Sequence, residues 1–119
     1  DDPRVRSTIA AIEDRLTDRD GMVHRYLADD GLEGEEGTFL LCTFWLAQAH
    51  ALAGDVGRAR EVFDSAIACR NDVGLFAEEV LDGAMVGNFP QAFSHVGLIG
   101  AAWAIAEAER EGAALAYVR

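Results

Sequence analysis

Residues 38–53 read TFLLCTFWLAQAHALA, and Gly54 follows at once. No Asp, Glu, Lys or Arg interrupts these residues. The run is too long for an ordinary strand and reads as a helix that is apolar almost all the way round. Such a helix is buried on most sides, so the rest of the chain must supply its cover. It is not long or uniform enough to span a bilayer. Gly54 stops it, and Asp55 is placed to cap the next helix.

The remaining segments arrange themselves around that helix. Residues 3–17, PRVRSTIAAIEDRLT, place Val5, Ile9, Ile12 and Leu16 on one face, with Arg and acidic residues elsewhere; this predicts an amphipathic helix with one side in water. Residues 56–70 repeat the pattern, with Val56, Ala59, Val62, Phe63, Ala66 and Ile67 on a stripe. From Pro90 to about Glu111 the chain is again apolar, with small residues in its first turns, and Pro90 suits a first helical turn because its missing N–H costs nothing there. Gly97 and Gly100 fit close packing against a neighbour. Residues 18–37 and 70–89 read as loops rich in Gly and acidic residues, with VHRYL as a short extended piece.

The order is thus exposed, buried, exposed, buried. A four-helix bundle has four amphipathic helices of similar kind; this alternation predicts two layers, as in an α/α toroid with inner helices around a funnel. Four helices are too few to close such a ring. Consecutive helices run antiparallel, so the loops 18–37 and 70–89 fall at one end and the tight turn at Ala53–Asp55 at the other. The first end then gathers Asp29, Asp30, Glu33, Glu35, Glu36, Glu78 and Glu79. Packed helices lie roughly 8–10 Å apart, so carboxylates there can share a pocket. The inner helices aim their N-termini at it, which favours ionised carboxylates by a few tenths to about 1 kcal/mol each, the state a general base requires.

Length and composition narrow the remaining classes. With 119 residues the chain makes one domain, and 50% hydrophobic content supports a real core. A formal net charge of -11 disfavours nucleic acid and anionic membranes as partners. Cys42 and Cys69 have no metal-binding or redox spacing and read as buried thiols, which fits a reducing cytoplasm. No signal peptide is visible, and the chain lacks an initiator Met, as a piece of something larger would. Glu33 and Glu35 read as capping and helix-dipole partners. DDGLEGEEG does not have EF-hand spacing, and no P-loop, GxGxxG or metalloprotease pattern occurs; no metal and no cofactor is implied. His24 and His50 read as structural, and Trp45 and Trp103 as core. His95 suits either a site role or a core histidine satisfied by backbone. Ser94 and His95 are not a dyad, since neighbours on a helix point different ways.

Taken together, EEGTFLLCTFWLAQAHALAGDVGRARE, NDVGLFAEE and GNFPQAFSHVGLI resemble the C-terminal part of the family-15 glycoside hydrolases, which include glucoamylases, glucodextranases and bacterial trehalases; the likeness runs from about Gly21 to Ala106. The resemblance implies an (α/α)6 barrel and inverting cleavage of α-glucosidic bonds by two glutamates. The family's base lies in the loop before the last inner helix, which corresponds here to Ala77-Glu78-Glu79. Glu78 is thereby the expected base and Glu79 its support or a sugar ligand. Glu36-Gly37-Thr38-Phe39 matches a sugar-binding segment, making Glu36 a ligand to glucose hydroxyls, and Pro90, Ser94 and His95 match the pocket wall. An inverting hydrolase also needs a protonated carboxyl about 6.5–9.5 Å from the base; by the same resemblance that group lies upstream, in a part of the barrel outside this chain.

The expectation is an all-α chain, residues 1–119 forming one helical segment, about the last third of an (α/α)6 barrel without its β-sandwich and first part. Its function is that of a glycoside hydrolase of glucoamylase/trehalase type, with this segment inactive alone. The implied substrate is an α-glucoside or short glucan. The exposed flanks of the inner helices imply self-association or docking to the remainder of the barrel. The alternative is a non-catalytic helical interaction module.

Overall fold

The computed structural model describes residues 2–28, 31 and 36–117. The expectations placed on Asp29, Asp30, Glu33 and Glu35 lie outside the described residues. Four helices are present: α1 (Pro3–Leu16), α2 (Leu40–Leu52), α3 (Val56–Ala68) and α4 (Ala92–Tyr117). Capping explains two of the starts. The Asp2 carboxylate accepts the N–H of Arg4 ahead of Pro3, and Asp55 accepts the N–H of Arg58 at 3.1 Å, as the sequence predicts.

All-α is not the whole architecture. Three short strands, β1 (Thr38–Phe39), β2 (Glu79–Leu81) and β3 (Ala84–Val86), form an antiparallel sheet in the order β1-β2-β3. The stretch expected as loop therefore holds a hairpin. Its two-residue turn is Asp82-Gly83, with φ of 48° and 78°, the geometry that joins twisted strands most easily. The helix starts shift accordingly. Thr38 and Phe39 go to β1, so α2 begins at Leu40. Pro90 is not in a helix: the Phe89–Pro90 peptide is cis and α4 begins at Ala92.

The helix directions follow the predicted alternation. Arg6, early in α1, donates to the carbonyl of Ala53 just past the end of α2, and Arg60, early in α3, pairs with Glu109, late in α4. Gly97 meets Leu41 and Phe44, whereas Gly100 meets Gln48, so α2 and α4 run parallel. Both therefore start at the sheet, with the Ala53–Asp55 turn at the far end. A Cβ at Gly97 would lie 2.9 Å from Leu41 Cδ1; the glycine is there for close packing, as expected.

The core is centred on Phe44, which is fully buried. It meets Phe63 of α3 and Phe76 of the segment before β2 edge-to-face, with centroids 5.8 and 5.6 Å apart. His50 is buried, 3.2 Å from the Glu13 carboxylate that also takes the Nε–H of Arg58 at 2.8 Å, and so joins α1, α2 and α3 structurally. Cys42 and Cys69 are free and half-buried, and burial pushes both thiols up.

The tryptophans overturn their expectation. Trp103 is 70% exposed and Trp45 55%. Phe93, Val96 and Ile99 are exposed with Trp103 along one side of α4, so its early turns are buried on one side only. Spacings of three, three and four put these four on a single stripe. They are exposed, with no neighbour among the described residues to cover them, which fits the expected open flank.

Candidate functional site at the sheet end

The segment Phe76–Leu81 is the frame of the site. It is extended, and three neighbours hold it. On the α4 side, Ser94 Oγ donates to the carbonyl of Ala77 at 2.7 Å, and the N–H of Gln91 to that of Phe76 at 2.9 Å. Ser94 is buried, so this bond occupies a hydroxyl that water cannot reach. On the α2 side, the N–H of Leu40 donates to the carbonyl of Glu78 at 3.1 Å. Phe39 offers α2 no side-chain cap, and the Glu78 backbone supplies one of the acceptors that a helix start lacks. On the third side lies β3, whose Val86 pairs with Glu79.

Within this frame the expected residues take distinct positions. Glu79 faces Phe39 in the β1–β2 register, and its Oε2 accepts the N–H of Gly37 at 3.1 Å. That bond ties the approach to α2 to the segment leading into α4. Only glycine fits at 37, because a Cβ would stand 2.7 Å from the carbonyl oxygen of Val80. Glu36, next to it, accepts from Arg25 at 2.5 Å. The Arg25 guanidinium also lies over the rings of Tyr26 and Phe39, 4.8 and 5.1 Å from their centroids. The pairing with Glu36 holds Arg25 further into its charged form. Glu78, half-buried, accepts at Oε2 from the backbone N–H of Asn88 at 3.2 Å and from Asn88 Nδ2 at 2.8 Å.

His95 sits one turn into α4, with its ring edge-on to Phe76 at 5.5 Å. Its Nδ1 is 2.7 Å from the carbonyl of Gln91, which can only accept, so Nδ1 donates. Nε2 is buried with no partner among the described residues. The backbone thus satisfies one ring nitrogen and leaves the other open, between the two alternatives that the sequence allows.

Glu36, Glu78, Glu79 and His95 are thereby gathered at one end, on segments bonded to each other. Arg25, Gly87 and Asn88 belong to the same end and are not flagged by sequence reasoning. Gly87-Asn88 next to an apolar triplet is a turn signal that points to them; Arg25 carries no such signal. A cavity of about 680 Å³ lies on the neighbouring side of the sheet, between Gly37–Thr38, Val80–Leu81, the Asp18–Met22 turn, the end of α3 and the Asp82-Gly83 turn. None of the four residues lines it. Asp18, on its wall, already accepts the N–H groups of Asp20 and Met22. Among the described residues no group of three or more His, Cys, Asp or Glu is placed to hold a metal ion, and no helix is long and apolar enough to cross a membrane.

Parallel buried helices backed by amphipathic ones, with carboxylates on the segments that lead into them, define a helical domain with an acidic rim where the inner helices begin. The chain belongs to the glycosyl hydrolases family 15, whose pattern matches residues 1–103. It is 48% identical over 116 residues to a trehalase of Mycobacterium tuberculosis, covering 93% of this chain and 17% of that protein. A trehalase of Mycolicibacterium smegmatis is 46% identical over the same shares. One from Thermoplasma volcanium is 40% identical over 109 residues, 90% of this chain and 18% of the relative. The chain thus spans about a sixth of the length of these curated relatives. No solved structure matches it.

Proposed function

We propose that this chain carries the general base, Glu78, and part of the glucose subsite of an inverting hydrolase of α-glucosidic bonds, with trehalose as the substrate. The observation that carries the reading is the seat of Glu78: a half-buried carboxylate on a clamped extended segment, one oxygen bonded to Asn88. In this reading Glu78 takes a proton from a water molecule as the water oxygen attacks the anomeric carbon. The glycosidic oxygen leaves with a proton from a second carboxyl, roughly 6.5–9.5 Å from the first. Glu36, Glu79 and His95 are ligands to sugar hydroxyls, and the open Nε2 of His95 supports this for that ring. Trehalose is favoured over other glucosides by the names of the relatives, which are trehalases at 40–48% identity.

On the same reading the 119 residues are one helical segment of an (α/α)6 barrel. The stripe Phe93, Val96, Ile99 and Trp103 is the flank on which the remainder of that barrel, or failing it a second copy, sits. Two free, half-buried thiols suit a cytoplasmic protein.

The test is Glu78→Gln in the full-length protein that contains this segment. Glucose release from trehalose is expected to fall by about 10²–10⁴-fold with binding kept. An unchanged rate refutes the assignment and leaves the helical interaction module standing.

A further inference from the structure

Asn88 is bonded to Glu78 by more than the hairpin requires. Val86 pairs with Glu79, so a regular ladder would bring Gly87 opposite Glu78. The N–H of Glu78 instead donates to the carbonyl of Asn88 at 2.9 Å. Just beyond the end of β3 at Val86 the chain thus fits in one extra residue, in the manner of a β-bulge with a left-handed glycine, a device that re-aims a side chain. Gly87 has φ of 75°, and a Cβ there would lie 3.0 Å from Glu78 Oε2 and 3.1 Å from Glu78 Cβ. Glycine at 87 is what lets the chain pass so close and turn Asn88 back onto the carboxylate.

The result is that the backbone N–H and the side-chain Nδ2 of one residue both donate to the same oxygen, Oε2. Of the two amide ends of asparagine only the nitrogen can donate, so the amide orientation is set by chemistry. Among the described residues Oε1 of Glu78 makes no hydrogen bond. A carboxylate held at one oxygen has its other oxygen aimed. An asparagine does this without introducing a charge that would compete for the proton or repel the base.

We infer that Asn88 is the positioning residue for Glu78, fixing Oε2 so that Oε1 is the atom that receives the proton of the attacking water. This rests on the reading of Glu78 as the base. Asn88 touches no reacting atom; it acts through the orientation of Glu78, and a misplacement of about 1 Å can cost 10²-fold in rate.

The experiment compares Asn88→Ala, Asn88→Asp and Glu78→Gln in the full-length protein with trehalose as substrate. Asn88→Ala is expected to lower kcat by about 10- to 100-fold with little change in KM. Asn88→Asp keeps the shape but replaces the Nδ2 donor by a second negative charge, so it is expected to be worse than Asn88→Ala. A merely structural asparagine gives the reverse order, because the near-isosteric Asp fits the turn better than Ala. A kcat for Asn88→Asp above that of Asn88→Ala, or both near wild type while Glu78→Gln is inactive, overturns the inference and spares the base. A fully active Glu78→Gln overturns both. Independently of activity, the Asn88 side-chain amide resonance is expected to move in Glu78→Gln; a resonance that stays in place counts against the bond and the inference.

Discussion

The two inner helices differ less in composition than in cover. α2 buries Leu40, Leu41, Thr43, Phe44, Leu46, Ala47, His50 and Ala51, most of its 13 residues. Over the matching turns α4 buries Ser94, Gly97, Ala101, Ala104 and Ile105, mostly small side chains, and turns Phe93, Val96, Ile99 and Trp103 outward. α2 lies among α1, α3 and α4, whereas α4 packs mainly on α2 and, less, on α3. The difference teaches that the apolar content of a helix records how many neighbours it is built for. Which of them are in the same chain is a separate matter.

The contrast can be broken or sharpened by substitution. The largest effect is expected at the centre of α2: Phe44→Ala removes a fully buried ring that two other aromatics touch, and should cost about 3–5 kcal/mol in urea unfolding. Gly97→Val tests the seam between the helices. Its Cβ would press on Leu41 Cδ1 at 2.9 Å and on Phe44 Cβ at 3.1 Å, and a loss of about 1–3 kcal/mol is expected. Trp103→Ser on the open flank should change stability by no more than about 0.5 kcal/mol, because the ring is largely in water already. A loss near that of Phe44→Ala would show that the flank is covered in solution, and sedimentation of the same pair of proteins would say whether a second copy covers it.

Much of the scaffold was legible in the residues. The stepping of Val5, Ile9, Ile12 and Leu16, the charge-free run of α2 and the Asp55 cap each carry a local physical cause, and each led to the helix observed. Helix direction alone leads to Glu36 and the Glu78–Glu79 pair lying at one end. The hairpin is harder to see, although Asp82-Gly83 between apolar residues is a strong turn signal. Strands of two and three residues offer almost no period-two pattern beside it. Trp45 and Trp103 lie outside the expected core because hydrophobicity cannot distinguish a side chain that is covered from one that awaits cover. Asn88 was out of reach for a different reason. Its bond to Glu78 crosses the hairpin, and the register there is broken by one residue, which no sequence periodicity encodes. Arg25 reaches Glu36 across the 29–35 stretch, and nothing local marks the pair.

The Glu79–Gly37 bond joins positions 42 apart in the chain. Closing so long a loop has an entropic cost that must be met before the contact returns anything. The α2–α3 hairpin lies inside that loop, and its folding shortens the effective distance to be closed. Contact-order reasoning therefore expects the Glu79–Gly37 tie to close after the α2–α3 hairpin has formed. A peptide cut from the C-terminal side of α3 would keep Glu78 and its Asn88 bond but lose the Gly37 N–H that Glu79 accepts.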